Sequence, residues 1–396
     1  MHESQSSTNE SQAPRISQRA EGVAPFLVME ILEQAQALER SGRDVIHLEV
    51  GEPDFDTPPC VVEAAKRALA AGHTHYTHSM GLLELREAIC EQHAAEYGVA
   101  THPDQVVVCS GTSPAMQLVF AALCEPGDEV ILTDPHYACY PNILRVLGIV
   151  PRCVPISAQE GFRVPVEAIR EALGPRTRAV VVNSPANPTG AVLAEENLRE
   201  LAQLPVPIVS DEIYHGVTYG VRAHSMREFS DEVFVLNGFS KRYAMTGWRL
   251  GYVIAPRRYA SALQRMQQNL FICAADFAQH AALAAIRCAA HDAERMRQVY
   301  ERRREVMLAG VREAGLDVPY EPRGAFYVLA DARNFCSSSL ELARRILHET
   351  GVGVAPGIDF GQRAEGHIRL SYATSEEDIA EALRRLKRFF AALSAC

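Results

Sequence analysis

Short apolar runs alternate with amphipathic stretches through the middle of the chain. The apolar runs have the length of buried strands, and they occupy residues 106–111, 129–134, 179–184, 207–211, 233–238 and 250–256. Amphipathic stretches with helical spacing occupy residues 61–72, 82–98, 114–127 and 195–204. Strands that alternate with helices form largely parallel sheets covered on both faces. The pattern therefore predicts an α/β fold with a mixed, mainly parallel sheet between helices.

The pattern changes near residue 292. A long charged amphipathic helix begins there, and a strand in 324–330, a helix over 339–349, a strand over 367–373 and a helix over 375–393 follow it. This order predicts a second, smaller α+β domain. Residues 1–22 are polar and rich in Ser, Gln and Glu, so they are expected to be a disordered tail or an arm that orders against a partner.

Charge and cysteine content narrow the possible partners and location. The chain has 39 Lys and Arg against 49 Asp and Glu, a formal net charge of -10, which disfavours nucleic acid and anionic membranes as partners. No run of 18 apolar residues and no apolar leader segment is present, so no membrane span is expected. The 10 cysteines form no CxxC pair, which fits reduced thiols in the cytoplasm.

Polar side chains follow several of the predicted strands at the point where each strand ends. Ligands of open α/β sheets bind at this edge. The residues there are Ser110, Gly111, Thr112, Tyr137, Asn187, Asp211 and Tyr214. Helix caps and turns also explain each of them singly.

Lys241 is unusual among the lysines. The chain has only three, and Lys66 and Lys387 lie on amphipathic helices where a lysine is normally solvated. Lys241 instead follows an apolar strand and lies among aromatic residues that include Trp248, the only tryptophan. A desolvated lysine has a lowered pKa and can act as a Schiff-base nucleophile and proton carrier.

Seven segments together resemble the class I/II aminotransferases, which are pyridoxal-phosphate enzymes of fold type I. They occur in the order found in that family and span about residues 25–390. They are GEPDFDTP (51–58), SGT (110–112), NPTG (187–190), SDEIY (210–214), SKRYAMTGWRLGY (240–252), GAFY (324–327) and IRLSYA (368–373). The resemblance implies a large pyridoxal-phosphate-binding domain, 59–291, and a small domain built from residues 23–58 and 292–396.

The resemblance also implies the cofactor's contacts. Lys241 would form the Schiff base and carry the proton between the substrate α-carbon and the cofactor. Asp211 would pair with the pyridine nitrogen, and Tyr214 and Asn187 would bond the ring oxygen. Tyr137 would stack on the ring. The phosphate would be held by residues at a helix N-terminus and by one guanidinium, namely Ser110, Gly111, Thr112 and Arg249.

Substrate contacts and a partner subunit follow from the same resemblance. Arg369 would bind the substrate α-carboxylate with both of its nitrogens, whereas its position in an alternating strand would by itself suggest a surface ion pair. Gly51 would let the backbone close over the substrate, and Asn187 would also contact it. Tyr76 would reach the cofactor phosphate of a neighbouring subunit, which implies a homodimer with shared active sites.

The expected reaction is transfer of the amino group of an L-amino acid to a 2-oxo acid, with 2-oxoglutarate as acceptor. A lyase or synthase of the same fold, of the carbon–sulfur lyase or aminocyclopropane-carboxylate synthase type, remains an alternative because the same residues support both. A DNA-binding regulator with this fold is disfavoured because the roughly fifty residues before GEPDF (51–55) hold no basic domain.

The donor amino acid stays open. Ser113 stands where many bacterial aspartate aminotransferases have a lysine for the side-chain carboxylate, Tyr137 replaces their usual tryptophan, and Gly238 replaces a phosphate-binding serine of some relatives. Aromatic, branched-chain, alanine and other donors therefore remain possible. Side-chain specificity is expected to depend on loops near 25–30 and 355–361.

Two further expectations concern backbone and metal. The resemblance also suggests cis peptide bonds before Pro135 and Pro188, since a cis bond before proline turns the chain sharply at the rim of a site. His73, His75 and His78 lie close together in the sequence, but no carboxylate or cysteine is spaced with them and the family needs no metal. No metal site is therefore expected.

Overall fold

The protein is described by a computed structural model that covers residues 16–394. The strands are β1 (Ile46–His47), β2 (Val106–Cys109), β3 (Glu129–Asp134), β4 (Val150–Pro155), β5 (Thr177–Asn183), β6 (Ile208–Asp211), β7 (Val233–Gly238), β8 (Gly251–Ile254), β9 (Tyr327–Asp331), β10 (Val352–Gly353), β11 (Ala355–Pro356) and β12 (His367–Ser371). The helices are α1 (Gln18–Glu21), α2 (Leu27–Arg40), α3 (Pro59–Ala70), α4 (Leu83–Tyr97), α5 (Thr112–Leu123), α6 (Cys139–Val146), α7 (Val166–Ala172), α8 (Glu195–Leu201), α9 (Ala260–Leu270), α10 (Asp276–Cys288), α11 (Ala290–Glu313), α12 (Ser339–Thr350) and α13 (Glu376–Ser394).

The main sheet has seven strands in the order β2-β8-β7-β6-β5-β3-β4. Strands β3 to β7 run parallel to their neighbours within that set, and β8 runs antiparallel to both β7 and β2. The predicted α/β fold with a mixed, mainly parallel sheet is confirmed. Parallel strands need crossover connections, and helices such as α5 and α8 supply them here.

Alternating side chains of the central strands pack into two separate apolar layers, one on each face of the sheet. In β2, Val106 and Val108 pack on one side of the sheet, and Val107 and Cys109 pack on the other. All four are fully buried. Because successive side chains point to opposite faces of a strand, a strand buried on both faces reads as a continuous apolar run. The two layers cover both faces of the sheet, and they leave the carboxyl ends of its strands free to present polar groups.

The two ends of the chain meet in smaller sheets. Strand β1 pairs in parallel with β10, with Ile46 opposite Val352. Strands β11, β12 and β9 form an antiparallel sheet. The Ser371 amide donates to the Leu48 carbonyl at 2.7 Å, which ties the N-terminal segment to β12. The boundaries of the two domains, at residues 58/59 and 291/292, stay a prediction.

Some elements differ from the sequence pattern. Strand β4, with the sequence VPRCVP, was not predicted, because its two prolines and largely exposed side chains mark an edge strand rather than a buried one. Helix α5 begins at Thr112 and ends at Leu123, before the Pro126-Gly127 turn, so the predicted end at residue 127 was too late. Of the predicted tail, residues 1–15 lie outside the described part of the chain, and Gln18–Glu21 form one exposed helical turn beside α6.

Both predicted cis peptide bonds, before Pro135 and before Pro188, are confirmed, and a third precedes Pro185. Within residues 16–394, no helix has the length and apolar character needed to cross a membrane.

Candidate active site

A cavity of about 200 Å³ opens at the carboxyl ends of the parallel strands. Strand β5 ends at Asn183 and β6 ends at Asp211, and both residues line it. The other lining residues are Phe26, Val28, Met29, Val50, Gly51, Thr112, Ser113, Met116, Tyr137, Tyr140, Asn187, Ile213, Tyr214, Lys241, Tyr327 and Arg369. The structure thus brings eight predicted site residues to one cavity, which are Gly51, Thr112, Tyr137, Asn187, Asp211, Tyr214, Lys241 and Arg369.

Lys241 enters this cavity from the segment that follows β7. Its Nζ donates a hydrogen bond to the Gly51 carbonyl at 2.6 Å and lies 5.9 Å from the centre of the Phe326 ring. Burial lowers the pKa of Lys241 to about 8, and the nearby cations Arg369 and Arg249 act in the same direction. A larger fraction of the amine is therefore neutral, and so nucleophilic, near neutral pH than for an exposed lysine.

Asp211 is a carboxylate buried without a bonded cation. It is 3% exposed. Its Oδ2 accepts a hydrogen bond from the Tyr140 hydroxyl at 2.6 Å, and its Oδ1 accepts one from the Ile213 amide at 3.2 Å. Burial raises the pKa of Asp211 to about 6. A cationic N–H group in the cavity would offset that burial cost, which is the role a protonated pyridine nitrogen would have.

Two tyrosines and an asparagine line one side of the cavity. The hydroxyls of Tyr214 and Tyr327 share a hydrogen bond at 2.7 Å. Burial raises the pKa of Tyr214 well above its ordinary value, so its phenol stays a proton donor. The amide of Asn187 donates to Asn183 Oδ1 at 2.8 Å, which fixes Asn187 beside the strand end.

Arg369 lies inside the protein and not on its surface. It is 3% exposed. Its Nη1 donates to Asn187 Oδ1 at 2.9 Å, and its Nη2 donates to the Glu49 carbonyl. The guanidinium carbon lies 4.4 Å from the centre of the Tyr327 ring and 4.8 Å from that of Phe360.

The charge of Arg369 is not neutralised by a neighbour. Its buried Nε has no hydrogen-bond partner, and Arg369 makes no ion pair with any carboxylate among residues 16–394. A buried unpaired donor on a guanidinium is costly unless an anion binds there. The position therefore fits a carboxylate ligand.

Gly51 allows the backbone to approach the catalytic residues closely. A Cβ atom at residue 51 would overlap the Tyr327 hydroxyl. The Gly51 carbonyl also accepts the Lys241 hydrogen bond. Any larger residue would displace the Tyr327 ring, so this position requires glycine.

The segment between β2 and α5 forms a second, adjacent anion site. Gly111 has a φ of +107°, and a Cβ atom there would lie 2.8 Å from Arg249 Nη2. No side chain caps the N-terminus of α5. Arg249 bonds the Thr246 carbonyl at 2.8 Å and makes no ion pair within the described residues. The uncapped N-terminus of α5, the hydroxyls of Ser110 and Thr112 and the unpaired guanidinium of Arg249 therefore flank Gly111, whose own amide donates to the Cys109 carbonyl at 2.7 Å. Such groups suit a phosphate.

Tyr137 and Tyr76 occupy contrasting positions. Tyr137 lines the cavity and makes edge-to-face contacts with Phe26 and Tyr140, with ring centres 6.4 Å and 5.3 Å apart. Tyr76 is 84% exposed and does not line the cavity of its own chain. Its predicted contact with another subunit is not tested by a single chain.

Sequence reasoning missed several residues of this site. Tyr140 follows Tyr137 by one helical turn, and Tyr327 lies in the quoted GAFY motif, yet neither was assigned a role. Phe26, Val28 and Met29 were anticipated only as part of a loop near 25–30, which was wrong in type, because α2 begins at Leu27 and carries Val28 and Met29 in its first turn. The signal available for Tyr140 was an aromatic one turn from a strand end, which is too common to be selective.

The residues present fit pyridoxal phosphate. Three groups lie in or beside the cavity. They are an unpaired phosphate cradle, a buried carboxylate that lacks a cation, and a lysine with a lowered pKa. The unpaired Nε of Arg369 adds a place for a substrate carboxylate. These are the groups that the cofactor's phosphate, ring nitrogen and aldehyde carbon require.

Comparison with known proteins agrees with this geometry. The family described as aminotransferase class I and II matches residues 43–386. The chain is 40% identical to a (5-formylfuran-3-yl)methyl phosphate transaminase of Methanocaldococcus jannaschii over 94% of this chain and 99% of that protein. It is 41% identical to an aspartate/prephenate aminotransferase of Thermus thermophilus over 94% and 98%.

Solved structures give the same result. The aspartate aminotransferase of Thermus thermophilus with maleate superposes with a TM-score of 0.91 at 40% identity, covering 95% of this chain and all of that one. An aminotransferase of Mycobacterium tuberculosis superposes with a TM-score of 0.92 at 37% identity. The chain therefore belongs to the class I and II aminotransferase family, whose members are pyridoxal-phosphate enzymes of fold type I.

Proposed function

We propose that this aminotransferase binds pyridoxal phosphate at Lys241 and moves an amino group from an L-amino acid to a 2-oxo acid. The observation that carries the residue assignment is the meeting of three groups in one cavity. These are a lysine with a lowered pKa, a buried carboxylate with no bonded cation and an arginine with an unpaired Nε.

Each residue has a separable task. Bound pyridoxal phosphate supplies a ring that withdraws electrons from the substrate α-carbon. Lys241 would hold the cofactor and then move a proton at that carbon. Asp211 would keep a proton on the ring nitrogen, and Tyr140 and the Ile213 amide orient its carboxylate. Tyr214 would donate a hydrogen bond to the ring oxygen.

The wall of the cavity favours an apolar or aromatic side chain on the donor. Phe26, Val28, Met29 and Met116 line it. Lys241 and Arg369 are the cations among the lining residues. Lys241 is assigned to the cofactor and Arg369 to the substrate α-carboxylate, so neither is left for a carboxylate on the substrate side chain. A second substrate carboxylate would meet the Ser113 hydroxyl in place of a cation. We therefore propose that aspartate is a poor donor and that 2-oxoglutarate, the expected acceptor, binds with a high KM.

A half-reaction experiment tests this substrate class. Single amino acids are added to the holoenzyme without an oxo acid, and the 2-oxo acid formed is identified by mass spectrometry. Phenylalanine, leucine and similar donors are expected to react faster than aspartate. In Ser113→Lys, the new cation should raise kcat/KM for aspartate by about tenfold or more, because hydrogen bonds to charged groups are worth roughly 1.5–3 kcal/mol.

Other outcomes of that experiment distinguish the alternatives. Release of ammonia, a thiol or another fragment in place of the matching 2-oxo acid would assign the lyase or synthase chemistry. Equal rates for aspartate and apolar donors in the unaltered enzyme would contradict the proposed side-chain preference while leaving amino-group transfer intact.

Arg369→Lys tests the carboxylate contact. Lysine keeps the positive charge but loses the planar pair of donors. We expect kcat/KM to fall about 10- to 100-fold for every amino acid, since a charge-assisted hydrogen bond is lost whatever the side chain. Arg333→Lys, on an exposed arginine paired with Asp331, is the matched control and should change kcat/KM little. Unchanged kinetics in Arg369→Lys would show that the α-carboxylate binds elsewhere.

We also propose a cytoplasmic homodimer. The exposed Tyr76 lies in a segment whose Thr77 amide contacts Cys273 Sγ at 3.4 Å, next to the exposed Leu270 and Ile272. Exposed apolar side chains on neighbouring segments are typical of an interface, and they support the predicted entry of Tyr76 into a neighbour's site. Light scattering, which gives the molar mass in solution, tests the dimer.

A further inference from the structure

Two histidines and an aspartate meet at the junction of α3 and α10, outside the active-site cavity. His73 follows the C-terminal end of α3, and its amide bonds the Ala68 carbonyl at 3.0 Å. Asp276 is the first residue of α10, and His280 lies one turn later. One potential ligand atom from each of the three lies within 4.8 Å of the other two.

The distances match those of a metal centre. His73 Nδ1 lies 3.2 Å from Asp276 Oδ2, and His280 Nε2 lies 3.3 Å from Asp276 Oδ1. Bonds of about 2.0–2.2 Å to zinc at a tetrahedral angle place two ligand atoms roughly 3.4 Å apart. Each histidine nitrogen therefore lies from one oxygen of the Asp276 carboxylate at nearly the separation of two ligand atoms on a zinc ion, and the two imidazole ring centres are 4.1 Å apart.

Unpaired buried atoms give an independent indication. Asp276 is 9% exposed, and its Oδ1 has no hydrogen-bond partner among the described residues. His280 Nε2 is also buried without a hydrogen bond, although it faces that oxygen. Buried polar atoms without partners are rare because they cost free energy. A cation bound to both atoms would satisfy them together.

We propose that His73, Asp276 and His280 bind a divalent transition-metal ion, with zinc as the best match. Imidazole and carboxylate ligands suit zinc, and three protein ligands leave a fourth position for water or an anion. Arg67 and Arg287 line the adjoining groove, and Arg287 is paired with Glu91 at 2.8 Å. These cations favour an anion in the fourth position.

Metal at this position would fix one end of the segment that carries Tyr76. The other end is already held, because Gln279 Nε2 donates to Thr77 Oγ1 at 2.9 Å. Metal would join the C-terminal end of α3 to the N-terminal turn of α10 and so order residues 73–77 from both sides. The site thus has a structural role and would act on amino-group transfer only through the order of the segment that carries Tyr76.

Calorimetric titration of the chelator-treated holoenzyme with Zn²⁺ alone tests the site. We expect one tight equivalent per chain. The double variant Asp276→Asn/His280→Gln should bind zinc about tenfold or more weakly, because loss of a ligand or of its hydrogen-bonded partner lowers the affinity for the metal. Substitution with Co²⁺ should give the visible absorption of a tetrahedral site in the unaltered protein and not in the double variant.

His75→Gln is the matched control. His75 is exposed in the same segment and is not part of the cluster, so its loss should leave the tight equivalent unchanged. Circular dichroism of the double variant establishes that it folds. The proposal is overturned if the unaltered protein has no tight equivalent, if the folded double variant binds as tightly, or if His75→Gln weakens binding as much.

Discussion

Replacing Lys241 with alanine is expected to reduce amino-group transfer by about 10⁴-fold or more, because one change removes both the covalent attachment and the proton carrier. Lys241 is the only lysine that lines the active-site cavity, so no other amine can replace it. Steady-state kinetics measures the loss. Borohydride reduction followed by peptide mass spectrometry should find the cofactor on the peptide that contains Lys241 in the unaltered protein and on none in the variant.

Lys66→Ala is the control for this experiment. Lys66 lies on the surface of α3 and pairs with Glu63 at 2.7 Å, an exposed contact of small energetic value. This variant should keep full turnover and the same reduced peptide. Turnover of the Lys241→Ala protein at a rate close to that of the unaltered enzyme would refute the proposed role of Lys241.

Asp211→Asn is expected to reduce kcat by roughly 10²- to 10³-fold, the usual cost of removing one electrostatic contact to charge that develops in a transition state. Asparagine has nearly the same shape and can still accept the Tyr140 hydrogen bond, but it carries no charge to hold a proton on the ring nitrogen. The rate of the half-reaction with a single donor measures this effect. Covalent attachment of the cofactor at Lys241 should persist, which separates slow chemistry from loss of the cofactor.

Asp231→Asn gives the matched control for the loss of a carboxylate. The Asp231 side chain is 90% exposed and pairs with the buried guanidinium of Arg227 at 3.4 Å, and neither residue lines the active-site cavity. Its half-reaction rate should equal that of the unaltered protein. If Asp211→Asn also reacts within a few-fold of the unaltered rate, Asp211 does not act on the ring nitrogen.

The sequence predicted what depends on local pattern. Strands β3, β6 and β7 were predicted within one or two residues because their side chains are buried on both faces and read as apolar runs. Strand β4 was missed because an exposed edge strand carries no such run. Asp211 and Lys241 were found because each follows an apolar strand, where ligands of these sheets bind.

The remaining features depend on tertiary contacts that a single sequence does not display. The bond between Tyr140 and Asp211 joins residues on different elements, and so does the pair of Tyr214 and Tyr327. The absence of a bonded carboxylate at Arg369 could be seen only once its surroundings were folded. His73 gained its partners from α10, about two hundred residues away, which is why spacing alone predicted no metal site.

The pairing of β1 with β10 has a consequence for synthesis on the ribosome. Ile31 lies in α2 and Leu48 directly follows β1, and both side chains are fully buried. Helix α12 packs against α2, and strand β10 pairs with β1, so this burial requires the later part of the chain. Residues 27–48 of the nascent chain must therefore wait, with apolar side chains uncovered, until nearly the whole polypeptide has emerged. Such delayed closure exposes a chain to aggregation. A messenger RNA that ends before the codon for Val352 would yield a truncated protein without β10. In that protein β1 would have no strand to pair with.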